Sequence, residues 1–172
     1  MEHDRQSDAG VEMSGGIFHA SIGALVRRSS DGKYLLLKRA QEKDFGGGAW
    51  ECVTGRVEQG ESFSVAVLRE VREELGVEAQ IDFIIGTTHL YRGEAIPENE
   101  MIGVQYCCSI DDWQAIQPSA EHSELRWVAP AEANVLLPGG HWLVDVIRRA
   151  EVITQLAPAA LMDHYRANAS EA

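Results

Sequence analysis

Three glutamates, Glu70, Glu73 and Glu74, stand within a five-residue stretch whose surroundings read as a helix. The apolar residues Val67, Leu68, Val71 and Leu75 recur at helical spacing, which predicts one buried stripe. The glutamates lie off that stripe. Residues three and four apart on a helix are neighbours, so 70/73 and 70/74 place carboxylates side by side. Like charges at that spacing repel, and Glu73 and Glu74 also fall in the last turn, at the negative end of the helix dipole. Both placements destabilise the bare chain, and a divalent cation among them reverses both effects. Carboxylate ligands with no Cys or His at metal spacing suit Mg2+ or Mn2+ rather than zinc. Ions held this way neutralise charge on phosphates and activate water, which is the chemistry of phosphoanhydride cleavage. The alternative for any such cluster is a solvated helix face, here neutralised by Arg69 and Arg72.

The stretch that must position these groups runs from Gly55 to Val77, GRVEQGESFSVAVLREVREELGV. It reads as a turn, a short extended piece and one amphipathic helix. Ser62 or Ser64 caps the start, and Gly76 stands where a left-handed C-terminal cap is wanted. The order is Gly55, five residues, Glu61, seven residues, Arg69-Glu70, an apolar residue, one residue, Glu73-Glu74, one residue, Gly76 and an apolar residue. By average residue usage a chance match is about one in a million per chain. The pattern resembles the signature of the Nudix (MutT-like) hydrolases without a departure inside its 23 residues, and the resemblance extends from about Ile17 to Val128.

The resemblance implies an α/β fold, an α/β/α sandwich around a mixed β-sheet. It implies Mg2+- or Mn2+-dependent hydrolysis of a phosphoanhydride in a nucleoside diphosphate linked to another moiety, a small nucleotide-type substrate. By position, Glu70 and Glu74 are the leading metal ligands, Glu73 stands close behind, and the Gly55 carbonyl joins them. Glu73, Glu74 and Arg69 carry over as catalytic residues, Arg69 orienting the glutamates by ion pairing while Glu61 supports the cluster. A carboxylate from a later loop often joins such metals or acts as base. Glu121 precedes Trp127 by a spacing familiar in the family, with Glu124 the runner-up. Ahead of the signature, Val53-Thr54-Gly55 departs from the Pro-Gly common there, so no particular substrate transfers. Trp50, Phe45, Tyr91 and Arg92 are candidates to stack on a base or hold phosphates, although strand aromatics more often belong to a core. A nucleotide-sensing binding module that kept the fold and lost turnover is the rival reading. Family members are often dimers, which keeps a homodimer open by analogy.

Composition narrows the classes. A chain of 172 residues with 45% hydrophobic content suits one globular domain with a substantial core. The net charge of −12 argues against nucleic acid as main partner. It leaves anionic small substrates open, because bound metal reverses the local field. No apolar run approaches membrane-spanning length and the first residues lack a signal-peptide core. The three cysteines, Cys52, Cys107 and Cys108, form no disulfide framework, and adjacent strand residues point to opposite faces. A cytoplasmic location is the simplest expectation.

Along the chain, residues 1–15 read as a polar tail and 16–172 as a single domain. Residues 17–28 read as a strand, Ser30-Asp31-Gly32 as a hairpin turn, and KYLLLKR as a return strand buried on both faces. Gln41 to Gly48 is a loop, and Trp50 to Thr54 a short strand entering the signature. A long strand follows the helix, with Gly86 marking a bulge or close approach. MIGVQYCCSI pairs back, Asp111 to Ser123 is a loop, and Leu125 to Val128 is a strand. Pro130 opens a short helix through Leu136, His141 to Leu156 reads as a second amphipathic helix, and Pro158 opens a last one ending near Tyr165. The histidines at 19, 89, 122 and 141 show no ligand spacing and read as structural or surface residues.

Overall fold

A computed structural model describes residues 16–42 and 46–168. The expected tail, residues 1–15, and the candidate Phe45 lie outside the described residues. The elements are β1 (His19–Val26), β2 (Tyr34–Arg39), β3 (Trp50–Glu51), β4 (Val53–Arg56), α1 (Phe63–Leu75), β5 (Gln80–Tyr91), β6 (Glu100–Ser109), β7 (His122–Val128), α2 (Pro130–Leu136), α3 (Trp142–Leu156) and α4 (Ala159–Asn168). Single 3-10 turns occupy Pro97–Asn99 and Trp113–Ala115.

The strands form two sheets. One is mixed, in the order β4-β1-β6-β5, with β1 and β6 parallel; the other is antiparallel, in the order β3-β2-β7. Side chains alternate across each strand. In β1, Ile22, Ala24 and Val26 pack towards α1, while Leu25 packs towards α3. In β2, Leu35 and Leu37 join the α1 side, while Tyr34 and Leu36 join the other. Two cores therefore flank the sheets, one under α1 and one under α2 and α3, and the layers are those of an α/β/α sandwich. The unbroken burial of Tyr34 to Leu37 explains why that strand reads as a continuous apolar run.

Local chemistry sets the ends of α1. The Ser62 hydroxyl accepts from the Val65 amide, and Gly76 takes the left-handed conformation at φ 70° with its N–H bonded to the Arg72 carbonyl. Val67, Val71 and Leu75 are fully buried and Leu68 is partly buried. Each full burial contributes about 1.5–3 kcal/mol. The bulge expected at Gly86 is present, as a register shift between Ile84 and Gly86 against β6.

Three boundaries differ from expectation. The turn before Lys33 forms, but β1 and β2 share a single bridge, Arg27 with Tyr34. They then diverge into different sheets instead of continuing as a hairpin. Trp50 to Thr54 is two strands, β3 and β4, split at Cys52, so the chain crosses from one sheet to the other there. The last strand begins at His122 rather than Leu125, because pairing with β2 imposes order on residues that lack periodicity of their own.

Cys107 faces the α3 core and Cys108 the α1 core. All three thiols are buried and free, and burial pushes each of them up from the ordinary thiol range. The thiolate is the reactive form. The native protein is therefore expected to show no thiol titration by a colorimetric disulfide reagent within minutes, and three equivalents after denaturation. Rapid native labelling of one cysteine would contradict the packing of its strand.

Candidate active site

Glu70, Glu73 and Glu74 project from the C-terminal half of α1, and Arg69 on the same helix ties Glu70 and Glu73 to the preceding loop. Its Nε and Nη2 donate to the two oxygens of Glu61 at 2.8 and 3.0 Å. Its Nη1 donates to Glu70 at 2.9 Å and to Glu73 at 3.2 Å, and Nη2 also reaches the Arg56 carbonyl at 3.0 Å. Glu61 accepts in addition from the Glu58 amide at 3.0 Å. The guanidinium holds the Glu61 carboxyl below its ordinary range and is itself raised by the same hydrogen bonds. A two-point grip of this kind fixes the plane of the guanidinium, and through it the near oxygens of Glu70 and Glu73.

Gly55 sits in β4, paired with Ile22 of β1, with the Glu70 carboxyl directly against its α-carbon. A Cβ at this position would lie 2.0 Å from the carboxyl carbon and Oε1 of Glu70. No side chain but hydrogen fits there. Burial raises the Glu70 carboxyl, against the lowering effect of Arg69.

Glu74 is the most enclosed of the three, 7% exposed, whereas the Glu73 side chain is 57% exposed. Glu74 accepts from the Thr54 backbone, and its Oε2 has no hydrogen-bond partner among the described residues. Burial, reinforced by the neighbouring Glu51 and Glu70 and then by Glu121, pushes its carboxyl up to about 9. A buried acid surrounded by other acids, with one oxygen lacking a donor, is costly, and a hard divalent cation is the kind of group that would offset that cost. Among the described residues no three His, Cys, Asp or Glu side chains form a ready-made metal cage. The donor set nevertheless fits Mg2+ or Mn2+: all oxygen, several carboxylates, one of them buried with an unpartnered oxygen.

The loop after β6 docks on the end of α1. The Gln117 amide donates to the Leu75 carbonyl at 2.9 Å and the Ser119 amide to the Glu74 carbonyl at 2.8 Å, while the Ala40 amide donates to the Glu121 carbonyl at 2.8 Å. This brings Glu121 into electrostatic range of Glu74. Glu124 is elsewhere. It lies opposite Lys38 in the β2–β7 ladder and pairs with Lys38 at 3.8 Å and with Arg126. Trp50 stacks beside the same Lys38 and Arg126 cations, at 5.7 and 5.2 Å, and is partly buried against the α3 core. Arg92 is exposed at the end of β5. That strand is the opposite edge of the mixed sheet from β4.

Three residues of the site had no prominence in the sequence. Glu51 accepts from Arg39 Nη1 at 2.9 and 3.2 Å, from the Thr54 hydroxyl at 3.4 Å, and from His122 Nε2 at 3.1 Å. His122 is fully enclosed rather than a surface residue, and its Nε2 is also 3.7 Å from Glu74 Oε2. Strand alternation offered a partial signal for Arg39: it follows Leu35 and Leu37 on the face that packs under α1.

The arrangement is an acidic helix end clamped by an arginine and backed by a strand glycine, with Glu121 within electrostatic range, on an α/β/α sandwich. The NUDIX domain model matches residues 17–150, and the chain belongs to the Nudix hydrolase family. It is 33% identical over 113 residues to the CTP pyrophosphohydrolase of Escherichia coli (strain K12), covering 65% of this chain and 76% of that protein. It is 36% identical over 140 residues to the uncharacterized Nudix hydrolase orf19 of Rhodococcus erythropolis, covering 77% and 74%. Among solved structures, the MutT protein from Methanosarcina mazei Go1 superposes with a TM-score of 0.66 at 25% identity, covering 81% of this chain and 97% of that one. The protein is accordingly a hydrolase acting on pyrophosphate bonds. Among the described residues no helix is long and apolar enough to cross a membrane.

Proposed function

We propose that this protein hydrolyses a phosphoanhydride bond of a small nucleoside di- or triphosphate derivative in a divalent-cation-dependent reaction. The observation that carries the reading is Glu74: a buried carboxyl with an unpartnered oxygen, set among Glu51, Glu70 and Glu121. Glu70, Glu73, Glu74, the Gly55 carbonyl and Glu121 are the groups that would hold Mg2+ or Mn2+. When bound, the cation supplies neutralisation of phosphate charge and a water of lowered pKa. Arg69, oriented by its two-point pairing with Glu61, keeps Glu70 and Glu73 on one side of the helix. Glu121 reaches the cluster from a different element than the helix acids, which suits it to accept the proton of the attacking water. Trp50, with Lys38 and Arg126 beside it, supplies a flat surface and positive charge in an otherwise acidic molecule.

The test is phosphate or pyrophosphate release with Mg2+ over nucleoside triphosphates, nucleotide sugars and dinucleoside polyphosphates. Turnover of at least one class, abolished by EDTA and restored by Mg2+ or Mn2+, is the expected result. Tight nucleotide binding without turnover of any class would turn the reading into a nucleotide-sensing module. The loop acid has its own measurement. Glu121→Gln is expected to lower kcat by about 10²-fold, whereas Glu124→Gln, on a cation-paired surface, should stay within about 0.5 kcal/mol of wild type. The reverse ranking would mean that the loop acid is Glu124.

A further inference from the structure

His122 connects carboxylates that reach the site from different layers. Its side chain is 1% exposed. Nε2 lies 3.1 Å from Glu51 Oε1 and 3.7 Å from Glu74 Oε2, so one N–H stands between a strand acid of the antiparallel sheet and a helix acid of the other layer. Nδ1 has no partner among the described residues. A buried histidine serving the core alone ordinarily satisfies both nitrogens, whereas here the polar contacts all run from Nε2 towards the site. The backbone is arranged to aim it. Lys38 opposes Glu124 and Arg39 opposes His122, so Ser123 is an extra residue in the ladder. A bulge of this kind re-aims the side chains beyond it. Without it, His122 and Glu124 would share a face; with it, Glu124 points at Lys38 while His122 turns inward to Glu51. His122 is also the chain neighbour of Glu121.

We propose that His122 is a positioning residue: anchored on Glu51 at 3.1 Å, its Nε2 faces the free oxygen of Glu74 at 3.7 Å and sets the orientation of that carboxylate. The inference rests on the hydrolase reading above. Two buried carboxylates facing one another repel, and the Nε2 N–H set between them, bonded to one and close to the other, offsets that repulsion. Groups that orient the ligands of a metal in this way commonly change metal affinity or activity 10- to 100-fold when removed.

His122→Leu keeps approximate bulk and removes the donor, while His122→Gln keeps an N–H at similar reach. Mn2+ binding to the nucleotide-free protein is measured by electron paramagnetic resonance, alongside kcat, KM and Tm. His122→Leu should weaken Mn2+ binding about tenfold and lower kcat about 30-fold with KM within about twofold, and His122→Gln should restore both to within about threefold. Glu51→Gln combined with His122→Leu should be no worse than the more damaged single variant, since both act through one contact. Wild-type Mn2+ affinity and kcat in His122→Leu would overturn the proposal. So would equal damage in the Leu and Gln variants, a loss confined to Tm, or additive effects in the double variant. A wild-type protein that binds no Mn2+ and hydrolyses nothing would instead overturn the hydrolase reading, and this inference with it.

Discussion

Replacing Glu74 with Gln is expected to lower kcat by about a hundredfold or more at saturating Mg2+, with the fold intact. The amide has the shape of the acid and can still accept from the Thr54 backbone, so packing at the C-terminal end of α1 is preserved. It lacks the charge that a hard cation requires. The unliganded variant should be at least as stable as wild type, because the substitution removes a buried acid crowded by Glu51, Glu70 and Glu121. The increase in Tm produced by Mg2+ should shrink or vanish, since a ligand stabilises only to the extent that it binds the folded state. Kinetics over a Mg2+ titration and thermal melts with and without Mg2+ measure all three effects. Near-normal kcat with a full Mg2+ shift would remove Glu74 from the site. A variant that loses activity together with its unliganded stability would show that Glu74 supports the helix instead.

Gly55→Ala is expected to be nearly as damaging to activity, for a different reason. Gly55 does not have a positive φ, so alanine meets no backbone penalty. The obstacle is the Glu70 carboxyl, 2.0 Å from where the methyl would stand. Something must move by more than an ångström. β4 is held by its ladder to β1 and Glu70 is held by Arg69, so the displacement breaks the Arg69–Glu70 pair or pushes α1 off the sheet. The expected cost is about 1–3 kcal/mol of stability, as for other overpacked sites, with a loss in kcat of about 10²-fold and a higher Mg2+ requirement. Urea denaturation and the Mg2+ activation curve give the two numbers. Wild-type behaviour in both would mean that Glu70 can relocate freely, which is incompatible with its serving as a fixed ligand.

The residues themselves determined the helix and the acids on it. Its stripe, its Ser62 cap and its Gly76 terminus are local features, set by spacings of three and four and by one left-handed glycine. The resemblance carried by Gly55, Glu61, Arg69, Glu70, Glu73, Glu74 and Gly76 extended that reading to the sandwich and the hydrolase class. The burial of Glu74 against the exposure of Glu73 was not read from the sequence, although Glu74 follows Val67 by seven residues and Val71 by three and so shares their buried face, contrary to the expectation that all three acids lie off it. Glu51, Arg39 and His122 were not legible either. They are 12 to 83 positions apart and meet only where β3, β2 and β7 align. The inward turn of His122 depends on Ser123, the extra residue in the β2–β7 ladder, whereas Glu121 precedes that strand and is placed by the loop contacts of its backbone with Ala40 and Ser119. Strand side chains alternate with a period of two, so a single inserted residue sends everything beyond it to the other face. Local periodicity cannot reveal such an insertion; the partner strand decides it.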